Sequence, residues 1–160
     1  MRALIVYDSA YGNTERIAQA IGSAIGGEVR LARAGEVDPS ELASLDLLVV
    51  GSPTQGFRPT KPLQALIDSL PTDALQNIRV AAFDTRMPEA EVGRGLRLIM
   101  KVGGYAAPRI AKALEKKGAK LVRPPEGFIV KGREGPLAEG ELERAADWAK
   151  GIPELARQPE

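Results

Sequence analysis

The sequence predicts an α/β fold: a single-domain, doubly wound parallel sheet with helices on both faces. Three observations carry this. Short apolar runs of strand character alternate with helical periodicities along the chain. The run Leu47-Leu48-Val49-Val50-Gly51 is continuously apolar, as a strand covered on both faces requires. The chain has 160 residues, 44% hydrophobic and 27% charged, enough for one core that folds without disulfides.

Ala3-Leu4-Ile5-Val6-Tyr7 reads as strand one. Residues 13–25 place Ile17, Ala18, Ile21 and Ile25 at helical spacing and stop at Gly26-Gly27. Residues 28–31 form a short second strand with alternating character, near an edge. Asp38-Pro39-Ser40-Glu41-Leu42 is a cap followed by one helical turn. Strand three is 47–51. Residues 61–70 are a helix with Leu63, Leu66, Ile67 and Leu70 on one face. Residues 78–83 are strand four, and 106–117 a helix that turns Ile110, Ala111 and Leu114 inward. Residues 120–122 and 127–130 are pieces of a fifth strand interrupted by Pro124-Pro125. Residues 140–150 form a last amphipathic helix, where Trp148 is a packing residue. The domain spans 1–151, and 152–160 is a frayed tail.

Composition excludes several chemistries. The sequence has no Cys and no His. That removes thiol nucleophiles, disulfides, His general bases, Ser-His-Asp triads and the usual N/S zinc sites. Any redox or group-transfer chemistry therefore points to an organic cofactor. A Cys-free chain fits the cytoplasm. No run is long enough for a membrane span, and the acid at Asp8 interrupts what a secretory signal would continue as apolar.

Net charge is +1, but the segments differ. Residues 1–93 hold 8 basic and 12 acidic residues, whereas 94–123 hold 9 basic residues against Glu115 alone. This basic stretch is either a solvated helix face or a docking surface for an acidic partner, a phosphate or an anionic membrane. Nucleic acid is disfavoured, because no aromatic interleaves with the Lys and Arg of 109–123. Within it, Gly95 to Tyr105 mixes large apolar and basic residues. That segment reads as a helix extension, with a lid, a dimer surface or an interfacial element as alternatives; Gly93, Gly95, Gly103 and Gly104 would be its hinges.

In doubly wound folds, ligands sit beyond the carboxyl ends of the strands where strand order reverses. The loops after strands one, three and four are therefore the candidate site. The first loop, Asp8-Ser9-Ala10-Tyr11-Gly12-Asn13-Thr14, contains hydroxyls, an amide and a Gly, and no Lys or Arg. It enters a helix whose free N–H groups favour an anion. Ser9, Asn13 and Thr14 can add side-chain donors, and Gly12 lets the backbone curl around a phosphate. The same residues can also serve as ordinary helix caps. Asp8 itself reads as a hydrogen-bond acceptor within the loop. There is no GxxxxGK[ST], so no P-loop. Gly93-Arg94-Gly95 follows no strand, so it is no Rossmann fingerprint. A phosphoacceptor receiver would need an Asp where strand three ends in Gly51-Ser52.

The pattern Ser9-x-Tyr11-Gly12-Asn13-Thr14 after an apolar first strand resembles the FMN-phosphate loop of flavodoxins. Gly51-Ser52-Pro53-Thr54-Gln55-Gly56-Phe57 is similar to their second loop, which touches the flavin ring. Residues 127–130 and 135–142 look like the tail of small flavodoxins, so the resemblance covers about residues 2–150. It implies a five-stranded sheet of order 2-1-3-4-5 with FMN at the switch point, flavodoxin being a standing instance of that rule. It implies an FMN site made of Ser9, Ala10, Tyr11, Gly12, Asn13 and Thr14, then Pro53, Thr54, Gln55, Gly56 and Phe57, then Asp84, Thr85 and Arg86. The third loop, Phe83 to Pro88, departs from the family: it has no aromatic to stack on the ring and carries Arg86 instead. Phe57 and Tyr105 are the aromatics nearest the expected ring. Arg86 either stands beside the flavin or pairs with Asp84 or Glu89.

The resemblance implies an FMN-binding electron carrier with a redox protein partner. An FMN-dependent oxidoreductase acting on a quinone or a protoporphyrinogen-like substrate is the alternative, and a flavin-free binding module the third reading.

Overall fold

The computed structural model describes residues 1–88 and 104–159. The segment 89–103 lies outside the described residues, and with it most of the basic apolar stretch 95–105 and its expected hinges Gly93, Gly95 and Gly103. The elements run β1 Ala3–Tyr7, α1 Asn13–Ile25, β2 Val29–Arg33, β3 Leu47–Pro53, α2 Lys61–Asp68, β4 Arg79–Arg86, α3 Ala106–Glu115, β5 Lys120–Leu121, β6 Glu126–Ile129, α4 Glu141–Lys150 and α5 Ile152–Arg157.

The sheet is parallel, in order β2-β1-β3-β4-β5, with β6 also paired to β4. The expected fifth strand is thus two short ones in one lane. β5 pairs the start of β4 (Arg79 with Lys120), and β6 pairs its end (Phe83 with Glu126, Arg86 with Ile129). Pro124 and Pro125 fall in the gap, where prolines cannot donate to the ladder. Because β3 pairs with Asp84 and Thr85 and β6 carries the ladder on to Arg86, β4 runs to Arg86 rather than ending at Phe83. Asp84, Thr85 and Arg86 are therefore strand residues and not a loop.

The alternation of strand side chains divides the core in two. Leu4 and Val6 of β1 join Leu48 and Val50 under α2 and α3, where Leu63, Ile67, Ile110 and Leu114 close the layer. Ile5, Leu47, Val49 and Phe83 face the other way, under Ile17 and Ile21 of α1 and Ala145 and Trp148 of α4. Phe83, Phe128 and Trp148 meet edge-on, with centroids 6.1–6.4 Å apart. Fully burying side chains of this size is worth about 1.5–3 kcal/mol each, so these two faces hold the sheet between its helices.

Between β2 and β3 the chain makes two 3-10 segments, Ala34–Glu36 and Pro39–Ser44, not an α-helix. Asp38 caps the second with a full capping box to Glu41. The C-terminal residues expected to fray form α5, with Ile152 and Pro153 buried. Among the described residues, no helix is long and apolar enough to cross a membrane.

Candidate functional site

The carboxyl ends of β1, β3 and β4 open into a cleft of about 470 Å³, within the range of small-molecule sites. Of the residues expected from the three segments, Ser9, Ala10, Tyr11, Asn13, Thr14, Pro53, Thr54, Gln55, Gly56, Thr85 and Arg86 line it. Gly12, Phe57 and Asp84 do not. Met87, Val130 and Arg133 line it in addition.

The first loop is folded by its own side chains. The Gly12 N–H donates to Ser9 Oγ at 3.0 Å, and the Ser9 N–H to Asp8 Oδ1 at 2.9 Å. Gly12 is left-handed (φ 90°) and opens α1 with no side-chain cap. The helix N-terminus thus keeps backbone donors and a positive dipole end for an anion in the cleft. Thr14, the first buried residue of α1, shares a hydrogen bond of 2.8 Å with Thr85 of β4, which ties the loop to the sheet. Tyr11 is 49% exposed at the rim. Behind the loop, Arg33 of β2 donates to the Ser9 carbonyl and to Glu15 and lies 3.7 Å from Asp8. Its charge is shared with those acids.

The Asn13 side chain does not point to the cleft alone. Its Nδ2 donates to the Glu134 carbonyl at 3.1 Å. This contact brings the β6–α4 connection over the start of α1, and so brings Val130 and Arg133 to the cleft. Gly135 permits the approach: a Cβ there would stand 2.8 Å from the Asn13 amide.

The second segment makes a tight turn closed by paired backbone hydrogen bonds between Gln55 and Arg58. Its central residues Gly56 and Phe57 both have positive φ (54° and 70°), a conformation that costs a bulky residue. The turn holds Gln55 and Gly56 to the cleft and leaves Phe57 off its lining. Thr54 Oγ1 accepts from the Ala106 N–H at 3.0 Å, so this hydroxyl also secures the first turn of α3.

The third segment is an ion pair under the cleft floor. Asp84 is fully buried. Its carboxylate accepts two hydrogen bonds of 2.7 Å from Arg86, and one of 2.9 Å from the Ala107 N–H. Burial pushes the Asp84 carboxyl above its ordinary value, while Arg86 and the Ala107 N–H draw it back. The Arg86 guanidinium stacks 3.5 Å from the Tyr105 ring centroid and packs on Gly127, where a Cβ would overlap it at 2.1 Å. Arg86 therefore reaches the cleft as one half of a clamped pair. Of the two placements the sequence left open, the structure has the Asp84 pairing. Asp84 is a supporting residue below the site rather than part of its lining.

Sequence reasoning missed Arg33, Met87, Val130 and Arg133. The resemblance of 127–130 to small-flavodoxin tails was the one signal pointing at Val130.

A parallel sheet of order 2-1-3-4-5 with a polar cleft at its switch point, beside an uncapped helix N-terminus, defines a doubly wound α/β protein of the flavodoxin-like architecture. The sequence profile of the flavodoxin family matches residues 5–148, and the chain belongs to that family. Two solved flavodoxins share its fold. One, from the domain Archaea, is 23% identical with a TM-score of 0.71, covering 99% of this chain and 100% of that one. Flavodoxin 2 from Bacillus cereus is 24% identical with a TM-score of 0.74, covering 96% and 99%. The chain also superposes on 36% of the rubredoxin oxygen:oxidoreductase of Desulfovibrio gigas, at 18% identity and a TM-score of 0.72 over 98% of this chain. No curated protein matches the chain.

The residues present fit the flavin that the family implies. The cleft has the volume, the loop leaves an anion-ready helix start, and hydroxyls and amides line the path between them.

Proposed function

We propose that this chain is an FMN-binding electron-transfer protein acting with a redox protein partner, in the cytoplasm. The observation that carries this reading is the Ser9–Thr14 loop, pre-folded around the uncapped start of α1 at the switch-point cleft. Backbone N–H groups of that helix start and the Ser9 and Thr14 hydroxyls hold the phosphate. Thr54, Gln55, Gly56 and Met87 would border the ring, with Arg86, paired to Asp84, at the same cleft. Bound FMN supplies the electron-accepting and electron-donating ring.

A carrier needs no general acid or base beside the ring, and the described part of the lining offers no carboxylate for one. The test is a flavin spectrum of the purified protein, followed by FMN and riboflavin titration of the apoprotein by fluorescence quenching. FMN is expected to bind more tightly. Equal affinities would overturn the phosphate loop, and turnover of a quinone at the expense of NAD(P)H would favour the enzyme.

A further inference from the structure

Three of the side chains that would meet the cofactor phosphate are already engaged. Ser9 Oγ accepts from Gly12, Asn13 Nδ2 donates to Glu134, and Thr14 shares one hydrogen bond with Thr85. The loop itself has no cation, and Arg33 behind it faces Asp8 and Glu15.

Arg133 stands differently. It sits in a short hairpin closed by backbone hydrogen bonds from Lys131 to Pro136 (2.8 Å) and from Gly135 to Gly132 (3.1 Å). The hairpin's base is buried at Val130 and Leu137, and Val130 N–H donates to the Arg86 carbonyl at 2.8 Å. Arg133 and Glu134 are the two residues at its tip. The Glu134 carbonyl is fastened to Asn13 in the first turn of α1, so its neighbour Arg133 is held at that end of the cleft, which it lines together with Ser9, Asn13 and Thr14. Among the described residues, no hydrogen bond or ion pair engages its guanidinium. Glu134 is the nearest acid on the same turn, and it lines a separate depression on the far side of Asn13.

We propose that Arg133 is a phosphate-binding residue of the cofactor site: the hairpin at 130–137 supplies the positive charge that the Ser9–Thr14 loop lacks. A guanidinium suits a phosphate because it offers several donors in a planar fork. This rests on the FMN reading above, and it assigns the hairpin the task of telling a phosphorylated flavin from an unphosphorylated one.

The test titrates wild type, Arg133→Gln and Arg133→Lys apoproteins with FMN and with riboflavin, at low and high salt, each variant's melting curve serving as the fold control. Arg133→Gln is expected to weaken FMN about five- to tenfold, between an exposed ion pair and a well-formed charged hydrogen bond, and to leave riboflavin unchanged. Arg133→Lys should recover part of the loss. The salt dependence of FMN binding should be shallower in Arg133→Gln, because one ionic contact is gone. Wild type preferring FMN while Arg133→Gln binds both flavins like wild type would overturn the role of Arg133 and leave the FMN reading standing. Equal weakening of FMN and riboflavin would also overturn it, since the hairpin would then be a wall without phosphate recognition. Wild type binding both flavins equally, or neither, would overturn the FMN reading and this inference together.

Discussion

Arg86 and Asp84, two residues apart on β4, point the same way and are joined by two hydrogen bonds of 2.7 Å, from Nε and from Nη2. Side chains at i and i+2 of a strand share a face, so the strand itself sets up the pair. The carboxylate is fully buried and the guanidinium side chain 19% exposed. A buried charge of this kind is tolerable only while its partner is present.

Arg86→Gln should therefore destabilise the fold by about 3 kcal/mol, the cost of stranding a buried carboxylate. Asp84→Asn combined with Arg86→Gln should recover most of that. Urea unfolding of both variants checks this, and a double variant no more stable than Arg86→Gln would show that the pair is not the source.

The pH dependence of the same site has a definite sign. Burial raises the native pKa of Asp84, so the native state binds this proton more tightly than the unfolded chain. Its contribution to stability falls as pH rises from the ordinary aspartate value through the raised one, and is level above it. Asp84→Asn should remove that component from the stability–pH curve, and unchanged curves for wild type and Asp84→Asn would contradict it.

The pairing also changes what Arg86 does to a bound flavin. Read from sequence alone, a lone cation beside the ring would favour the reduced, anionic cofactor. Paired with Asp84, that charge is largely cancelled. Asp84→Asn frees it. Unit charges about 4 Å apart at an effective dielectric of 20 interact by about 4 kcal/mol; a quarter of that, after solvent screening, moves a one-electron potential by some tens of millivolts. Redox titration of the FMN-loaded proteins should show the second-electron potential raised in Asp84→Asn and little changed in Arg86→Gln. A potential unmoved by Asp84→Asn would place the pair too far from the ring to matter.

The parts of this fold that local sequence determines were legible in it. β1, β3 and α1 follow from apolar runs and spacing, and the first loop from its Ser, Gly and Thr beside a helix start. The end of β4 was not, because Asp84–Arg86 become strand through pairing with Ser52 and Pro53 of β3 and with β6, some forty residues away. Arg133 was hidden for the same kind of reason: its place depends on a hydrogen bond between Asn13 and Glu134, 121 positions apart. The cap and single helical turn read at Asp38–Leu42 are there, as a 3-10 segment with a capping box between Asp38 and Glu41, because those signals are local.

Ser9→Ala with Thr14→Ala should weaken FMN tenfold or more. Each lost hydrogen bond to a charged group is worth about 1.5–3 kcal/mol, and the Thr14–Thr85 bond that anchors the loop goes as well. Riboflavin affinity, measured by the same quenching titration, should hardly move. Comparable losses for both flavins would mean that the loop had collapsed rather than lost phosphate donors.

The outer face of α3 and its C-cap carry exposed Arg109, Lys112 and Lys116. Exposed charges are screened beyond about 8 Å at physiological salt, so any steering by this face fades with ionic strength. Lys112→Glu with Lys116→Glu should slow reduction of an acidic redox protein at low salt, and the difference should vanish at high salt. A rate indifferent to both charge reversal and salt would leave the face as solvated surface.

Glu141 opens α4 and fastens it to β6. Its carboxylate accepts from the Ile129 N–H at 2.6 Å and from Arg144 at 2.9 and 2.7 Å, while Arg144 also pairs with Glu126 and lies over the Phe128 ring. Burial by itself would raise the Glu141 pKa; the Arg144 and Ile129 hydrogen bonds outweigh it, and the group titrates below its ordinary value. A depressed native pKa means that the unfolded chain binds the proton more tightly. The stabilisation is therefore complete above the ordinary glutamate value and is lost as pH falls through the native one. Glu141→Gln should cost about 1–3 kcal/mol at neutral pH, since the neutral amide cannot reproduce the charged hydrogen bonds. The gap to wild type should narrow as the solution is acidified, because wild type loses what the variant never had. Urea unfolding across the acid range tests this directly. A gap of constant size down to about pH 3, below the ordinary glutamate pKa, would mean that Glu141 holds α4 by shape and not by charge.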